Sequence, residues 1–168
     1  TTLFRSDTYL VTGAMGCLGA WVIRLLLEDG CEVVAFDISE DDRRHQLIIG
    51  SEDRRQIRYV KGDLTDSDQV MSAAEGVSRI IHLGALQVPF CRADRPMGAA
   101  VNVVGTVNVF EAALRHSIEH LVYASSVAVF GNAEDYEVST IEPGERRLPT
   151  TLYGIWKCAN ESTARIYE

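Results

Sequence analysis

The chain has 168 residues, 46% hydrophobic and 24% charged, with 24 acidic against 16 basic residues and a net charge of −8. That length suits one domain with a sizeable apolar core, so the composition excludes a disordered chain or a disulfide scaffold. No block of Lys or Arg stands out, which argues against a nucleic-acid partner, and no apolar run reads as long enough to span a bilayer.

The start of the chain, residues 1–7, has no apolar stretch of the signal-peptide kind and no initiator Met. The four cysteines, Cys17, Cys31, Cys91 and Cys158, form no C-x-x-C pair and no metal-ligand spacing with histidine. They read as reduced thiols of a cytoplasmic protein with no metal and no membrane partner.

In chain order, short β-branched runs alternate with longer helical stretches. Strands are expected at 8–12, 32–36, 57–60, 79–83 and 120–124, nearly free of polar residues, as strands buried on both faces should be. Helices are expected at 16–29, 66–75, 99–116 and 153–167. The first carries Leu18, Val22, Leu25 and Leu26 at helical spacing and stops at Gly30, and the second opens on the capping cluster Thr65-Asp66-Ser67-Asp68. The alternation predicts an α/β fold: a Rossmann-like doubly wound parallel sheet with helices on both faces, in three αβα layers, as one domain over 1–168. Residues 131–151 read as a long loop, a length associated with function or disorder. The chain ends inside the last helical pattern, from which a missing C-terminal substrate-binding part is expected.

The first strand runs into Gly13-Ala14-Met15-Gly16-Cys17-Leu18-Gly19, with glycines as G-x-x-G-x-x-G. In such a loop Gly13 permits the tight turn, Gly16 lets the backbone approach a pyrophosphate and Gly19 lets the helix pack on the sheet. The phosphates would sit at the helix N-terminus, where free N–H groups and the dipole favour negative charge. Strand two ends on Asp37, a carboxylate suited to the adenosine ribose hydroxyls and repulsive to a 2′-phosphate. NAD is therefore favoured over NADP, a preference that Arg43 and Arg44 would weaken. Strand three is followed by Asp63-Leu64, where the carboxylate suits an adenine amino group or, equally, a helix cap.

These segments, with His82-Leu83-Gly84-Ala85, Asn102-Val103-Val104-Gly105-Thr106-Val107-Asn108, the run Tyr123 to Gly131 and Tyr153-Gly154-Ile155-Trp156-Lys157, resemble the extended short-chain dehydrogenase/reductases, the NAD-dependent epimerase/dehydratase group. The resemblance spans nearly all of the chain. It implies a cofactor site built from Gly13, Met15, Gly16, Cys17, Leu18, Gly19, Asp37, Asp63, Leu64, Leu83, Gly84, Ala85, Asn102, Tyr153 and Lys157. Tyr153 and Lys157 are four apart on one helix face. A free tyrosine has a pKa of about 10, and a neighbouring lysine cation together with the positive nicotinamide ring would favour the phenolate of a general base. Ser126 stands where the family keeps its catalytic Ser or Thr, with Ser125 its competitor. His82 reads either as a backbone wall of the cofactor site or as a buried, satisfied histidine. Gln87 and Arg92 are candidates for substrate contact.

The pattern departs from the family at Phe130, usually Tyr, at Gly84, commonly Ala, and in lacking the C-terminal substrate part. The resemblance implies an epimerase or dehydratase of sugars or nucleotide sugars that recycles bound NAD. The alternatives are a sugar or sugar-acid dehydrogenase releasing NADH, or an NAD-binding sensor or scaffold without turnover. Without the substrate part, this chain by itself is expected to bind cofactor with little turnover. The family's dimers, built from the long helix and the Tyr153 helix, make a homodimer another expectation.

Overall fold

A computed structural model describes residues 7–168. Residues 1–6, most of the opening segment considered above, lie outside the described residues. The chain divides into two compact units: residues 7–85 with Asn108–Ala124, and Leu86–Val107 with Ser125–Glu168.

In the first unit, β1 (Thr8–Thr12), β2 (Glu32–Asp37), β3 (Ile57–Lys61), β4 (Arg79–His82) and β5 (His120–Tyr123) form a parallel sheet in the order β3-β2-β1-β4-β5. The chain steps outward from β1 to β3, then returns to the other side of β1 for β4 and β5. Right-handed crossovers then require helices on both faces, which makes this a Rossmann-like α/β fold. They also put a topological switch point between β1 and β4, which pair directly, Thr12 opposite His82.

The connecting helices of this unit are α1 (Cys17–Glu28), α2 (Arg43–Ile48), α3 (Ser51–Arg54) and α4 (Ser67–Ala73). The cap of α4 is Asp66, whose carboxylate accepts from the Asp68 and Gln69 amides. One apolar cluster joins Val11, Ala14, Ile23, Val33, Ala35, Ile49 and Ile57. Each large side chain buried there contributes about 1.5–3 kcal/mol.

Three expectations change. The strands are not all covered on both faces: β3 and β5 are the sheet edges and carry exposed positions, among them Tyr59 and Val122. The buried face of α1 is Gly19, Ala20 and Ile23, whereas Leu18 and Leu25 are 66% and 55% exposed. Val22 and Leu26 do pack, partly buried, against the apolar cluster, so the inward face of α1 is centred on Gly19 and Ile23 and leaves Leu18 and Leu25 outside it. The third change concerns the long helix. It begins at Arg95 rather than 99, because the Asp94 side chain caps it and Pro96 sits in its first turn. As Arg95–Arg115 it has 21 residues with a mean hydropathy of 1.4, and 44% of that apolar window is buried. By length and composition alone it is long and apolar enough to cross a membrane, contrary to the sequence reading, although core helices pass the same measure.

That helix is α6 (Arg95–Ala99), a widened π turn (Ala100–Val104) and α7 (Gly105–Arg115). Of it, α6, the π turn and the first residues of α7 belong to the second unit and Asn108–Arg115 to the first; the second unit further holds α5 (Val88–Ala93), a 3₁₀ turn at Val127–Val129, another at Ala133–Asp135 and α8 (Leu152–Tyr167). The segment 131–151 is irregular apart from the second 3₁₀ turn.

Candidate active and cofactor site

In the first unit, the glycine loop lies at the carboxyl end of β1. Gly13 has φ +69°, and a Cβ there would meet the Gly84 nitrogen at 2.7 Å, so the turn and its contact with the segment after β4 both require glycine. A Cβ at Gly19 would meet the Ala14 carbonyl oxygen at 2.7 Å, which lets α1 start directly against the loop. Gly16 caps α1 with no side-chain bond to its amides. The first turn, with Gly16, Cys17 and Leu18 exposed, therefore presents N–H groups suited to an anion.

Asp37, at the tip of β2, accepts from the Met15 amide at 2.9 Å through Oδ2 and from the Ser39 amide at 2.9 Å through Oδ1. It thus ties the loop to β2 while keeping lone pairs for a further donor. Arg44 donates to the Met15 carbonyl at 3.1 Å. Arg43 pairs instead with Asp41, at 83% side-chain exposure. Asp63 accepts from the Thr65 amide at 2.8 Å, a local turn bond, so helix capping belongs to Asp66 and not to it. The Leu64 carbonyl accepts from Asn108 at 2.8 Å. Leu83 and Gly84 are knitted to β1: the Leu83 amide donates to the Thr12 carbonyl, and the Gly84 amide to the Thr12 hydroxyl. That hydroxyl lies 2.6 Å from Nδ1 of His82, which is 2% exposed. His82 is a buried, hydrogen-bonded histidine. Ala85 is partly exposed.

In the second unit, Thr151 caps α8 by accepting from the Gly154 amide at 3.0 Å. A side chain at Gly154 would collide with the carbonyl of Ala128, so glycine lets α8 lie directly on the 3₁₀ turn that follows Ser126. This contact sets the start of α8, where Tyr153 precedes Gly154, against the turn that Ser126 opens. Ser126 Oγ accepts from the Ala128 amide at 3.1 Å, leaving its own hydrogen to donate. Lys157 is 4% exposed, with Nζ 5.7 Å from the Tyr153 ring centroid. Burial lowers its pKa from the ordinary 10.5. Ser125 donates instead to Glu161 at 2.7 Å, and Arg147 binds the other oxygen of Glu161 at 2.9 Å. Burial pushes the Glu161 carboxyl up, but these bonds outweigh it and hold it below the usual range. Ser125 therefore anchors α8, which separates it from Ser126.

Asn102, expected in the cofactor site, is buried in the second unit. It is 1% exposed, and its amide both accepts from the Leu86 N–H and donates to the Leu86 carbonyl, at 2.8 Å each. These bonds fix the backbone at Leu86, just after the segment that follows β4. The reading from sequence missed Asn160, whose amide donates at 2.8 Å to the Asn102 carbonyl in the π turn. Its spacing from Lys157, i to i+3 on one buried face, was the available signal. Gln87 and Arg92 are exposed at the two ends of α5.

The family model for the NAD dependent epimerase/dehydratase family matches residues 9–168. The chain belongs to that family. A UDP-glucose 4-epimerase of Mycolicibacterium smegmatis is 34% identical over 94% of this chain and 50% of its own length. A uronate dehydrogenase of Pseudomonas syringae pv. tomato is 33% identical over 99% of this chain and 56% of its own. The crystal structure of a Thermus thermophilus UDP-glucose 4-epimerase in complex with NAD superimposes with a TM-score of 0.82 at 26% identity, over 95% of this chain and 50% of that one. The chain thus spans about half the length of the relatives it matches.

Proposed function

We propose that this chain is the NAD-binding and proton-transferring part of an enzyme that oxidises and re-reduces a sugar or nucleotide sugar, as an epimerase or dehydratase. The observation that supports this reading is the seating of the start of α8, which carries Tyr153 and Lys157, on the turn that Ser126 opens. The glycine loop fits a pyrophosphate: the backbone closes where any side chain would block it, and α1 starts with uncapped amides. Asp37 suits the adenosine ribose and disfavours a 2′-phosphate, and Asp63 with Leu64 suits the adenine edge.

When bound, NAD supplies the hydride acceptor. The protein groups handle the proton. Tyr153 takes it from the sugar hydroxyl, Ser126 donates to the same oxygen and holds it in line, and the Lys157 cation favours the phenolate. In the reverse direction Tyr153 would give the proton back to the same oxygen, so one set of protein groups serves both directions.

A sugar-acid dehydrogenase is the second reading, supported by the 33% identity to a uronate dehydrogenase across 99% of the chain. Incubation of the full-length protein that carries this chain with NAD and a panel of uronic acids and nucleotide sugars separates the two. The first reading expects a changed sugar without net reduced cofactor. Steady accumulation of reduced cofactor on one substrate would replace it with the second.

A further inference from the structure

The loop that would take the pyrophosphate is fixed by two consecutive peptide planes, each held at both ends. The Ala14–Met15 peptide has its N–H bonded to Asp37 at 2.9 Å and its carbonyl bonded by His45 Nε2 at 2.9 Å. The Met15–Gly16 peptide has its carbonyl bonded by Arg44 at 3.1 Å and its N–H bonded to the Gly13 carbonyl at 3.0 Å. The direction of these planes sets where the following amides, at the start of α1, point.

His45 is the buried member of this set, at 0% exposure. A carbonyl only accepts, so Nε2 carries hydrogen, and Nδ1, 3.0 Å from the Tyr59 hydroxyl, accepts from it. Burial first, and Asp42 second, raise the Tyr59 pKa, which keeps that hydroxyl a donor. An imidazole buried beside an apolar cluster costs more to desolvate than a hydrocarbon of its size, so its presence is explained by the bonds it makes. The six-residue α2 that carries it is too short to be stable alone. Its position therefore depends on these same contacts.

We propose that His45 is a positioning residue for dinucleotide binding: it holds the Ala14 carbonyl opposite Asp37, and so orients the amides that receive the pyrophosphate, with Tyr59 fixing its tautomer. This rests on the NAD reading above.

The test titrates NAD, ADP and adenosine into the wild-type protein and into His45→Ala, His45→Gln and Tyr59→Phe, with thermal unfolding measured alongside. His45→Ala should weaken NAD and ADP about tenfold, the scale of one buried hydrogen bond, while adenosine changes less than about twofold. His45→Gln, which keeps a donor, should recover part of the loss, and Tyr59→Phe should lose a smaller share. Unchanged ADP affinity in His45→Ala would overturn the proposal. An equal loss for adenosine and ADP would overturn it too, since that describes general destabilisation. Should His45→Ala fail to fold, His45→Gln and Tyr59→Phe carry the same comparison: wild-type ADP affinity in both overturns the proposal. Absence of NAD and ADP binding in the wild type would overturn the NAD reading itself, a distinct result.

Discussion

The Nζ of Lys157 lies 5.7 Å from the ring centroid of Tyr153, one turn earlier on α8, and is almost entirely buried. Burial has lowered its pKa from 10.5, so the folded state binds this proton less tightly than the unfolded chain. Between the lowered value and about 10.5 the unfolded state carries more protons, and stability therefore rises with pH across that window. Below it the desolvation penalty is fully present. Urea unfolding at a series of alkaline pH values should show this rise in the wild type and its absence in Lys157→Met.

Gly154→Ala should damage stability and site together. Its methyl group would run into the Ala128 carbonyl, so α8 must shift away from the Ser126 turn. A loss of about 1–3 kcal/mol is expected from overpacking of this kind. Thermal unfolding reads the loss. Turnover should fall further than the lost stability accounts for, because Tyr153 moves relative to Ser126.

Asp37→Ala should reduce NAD affinity about tenfold or more and narrow its preference over NADP, as the carboxylate both binds the Met15 amide and repels a 2′-phosphate. Titration of both cofactors checks it. An unchanged ratio of the two affinities would remove Asp37 from cofactor discrimination.

Asn102→Asp should destabilise more than a surface change, by about 1–3 kcal/mol, because a carboxylate cannot donate to the Leu86 carbonyl or the Cys91 sulfur. Denaturant unfolding measures it.

Much of this was legible from residue order. The buried runs around Leu10 and Val34 and the glycines at 13, 16 and 19 point to the parallel sheet and its loop, because backbone sterics and burial leave few other uses for them. The i, i+4 spacing of Tyr153 and Lys157 likewise survives as a shared helix. Long-range partners were not legible. The bonds of Asn102 to Leu86 and of His45 to Ala14 and Tyr59 join residues far enough apart in the chain that no local pattern announces them. Short α2 and α5 were missed because six residues carry too little periodicity to register.

The central claim is that Tyr153 exchanges a proton with the substrate while the hydride moves. The most direct test compares wild type and Tyr153→Phe in the full-length protein that carries this chain, with matched folding and NAD affinity, for conversion of a responsive sugar or nucleotide sugar. The account predicts a fall in turnover of about 10²–10⁴-fold in the variant. Equal turnover by the two proteins would contradict it.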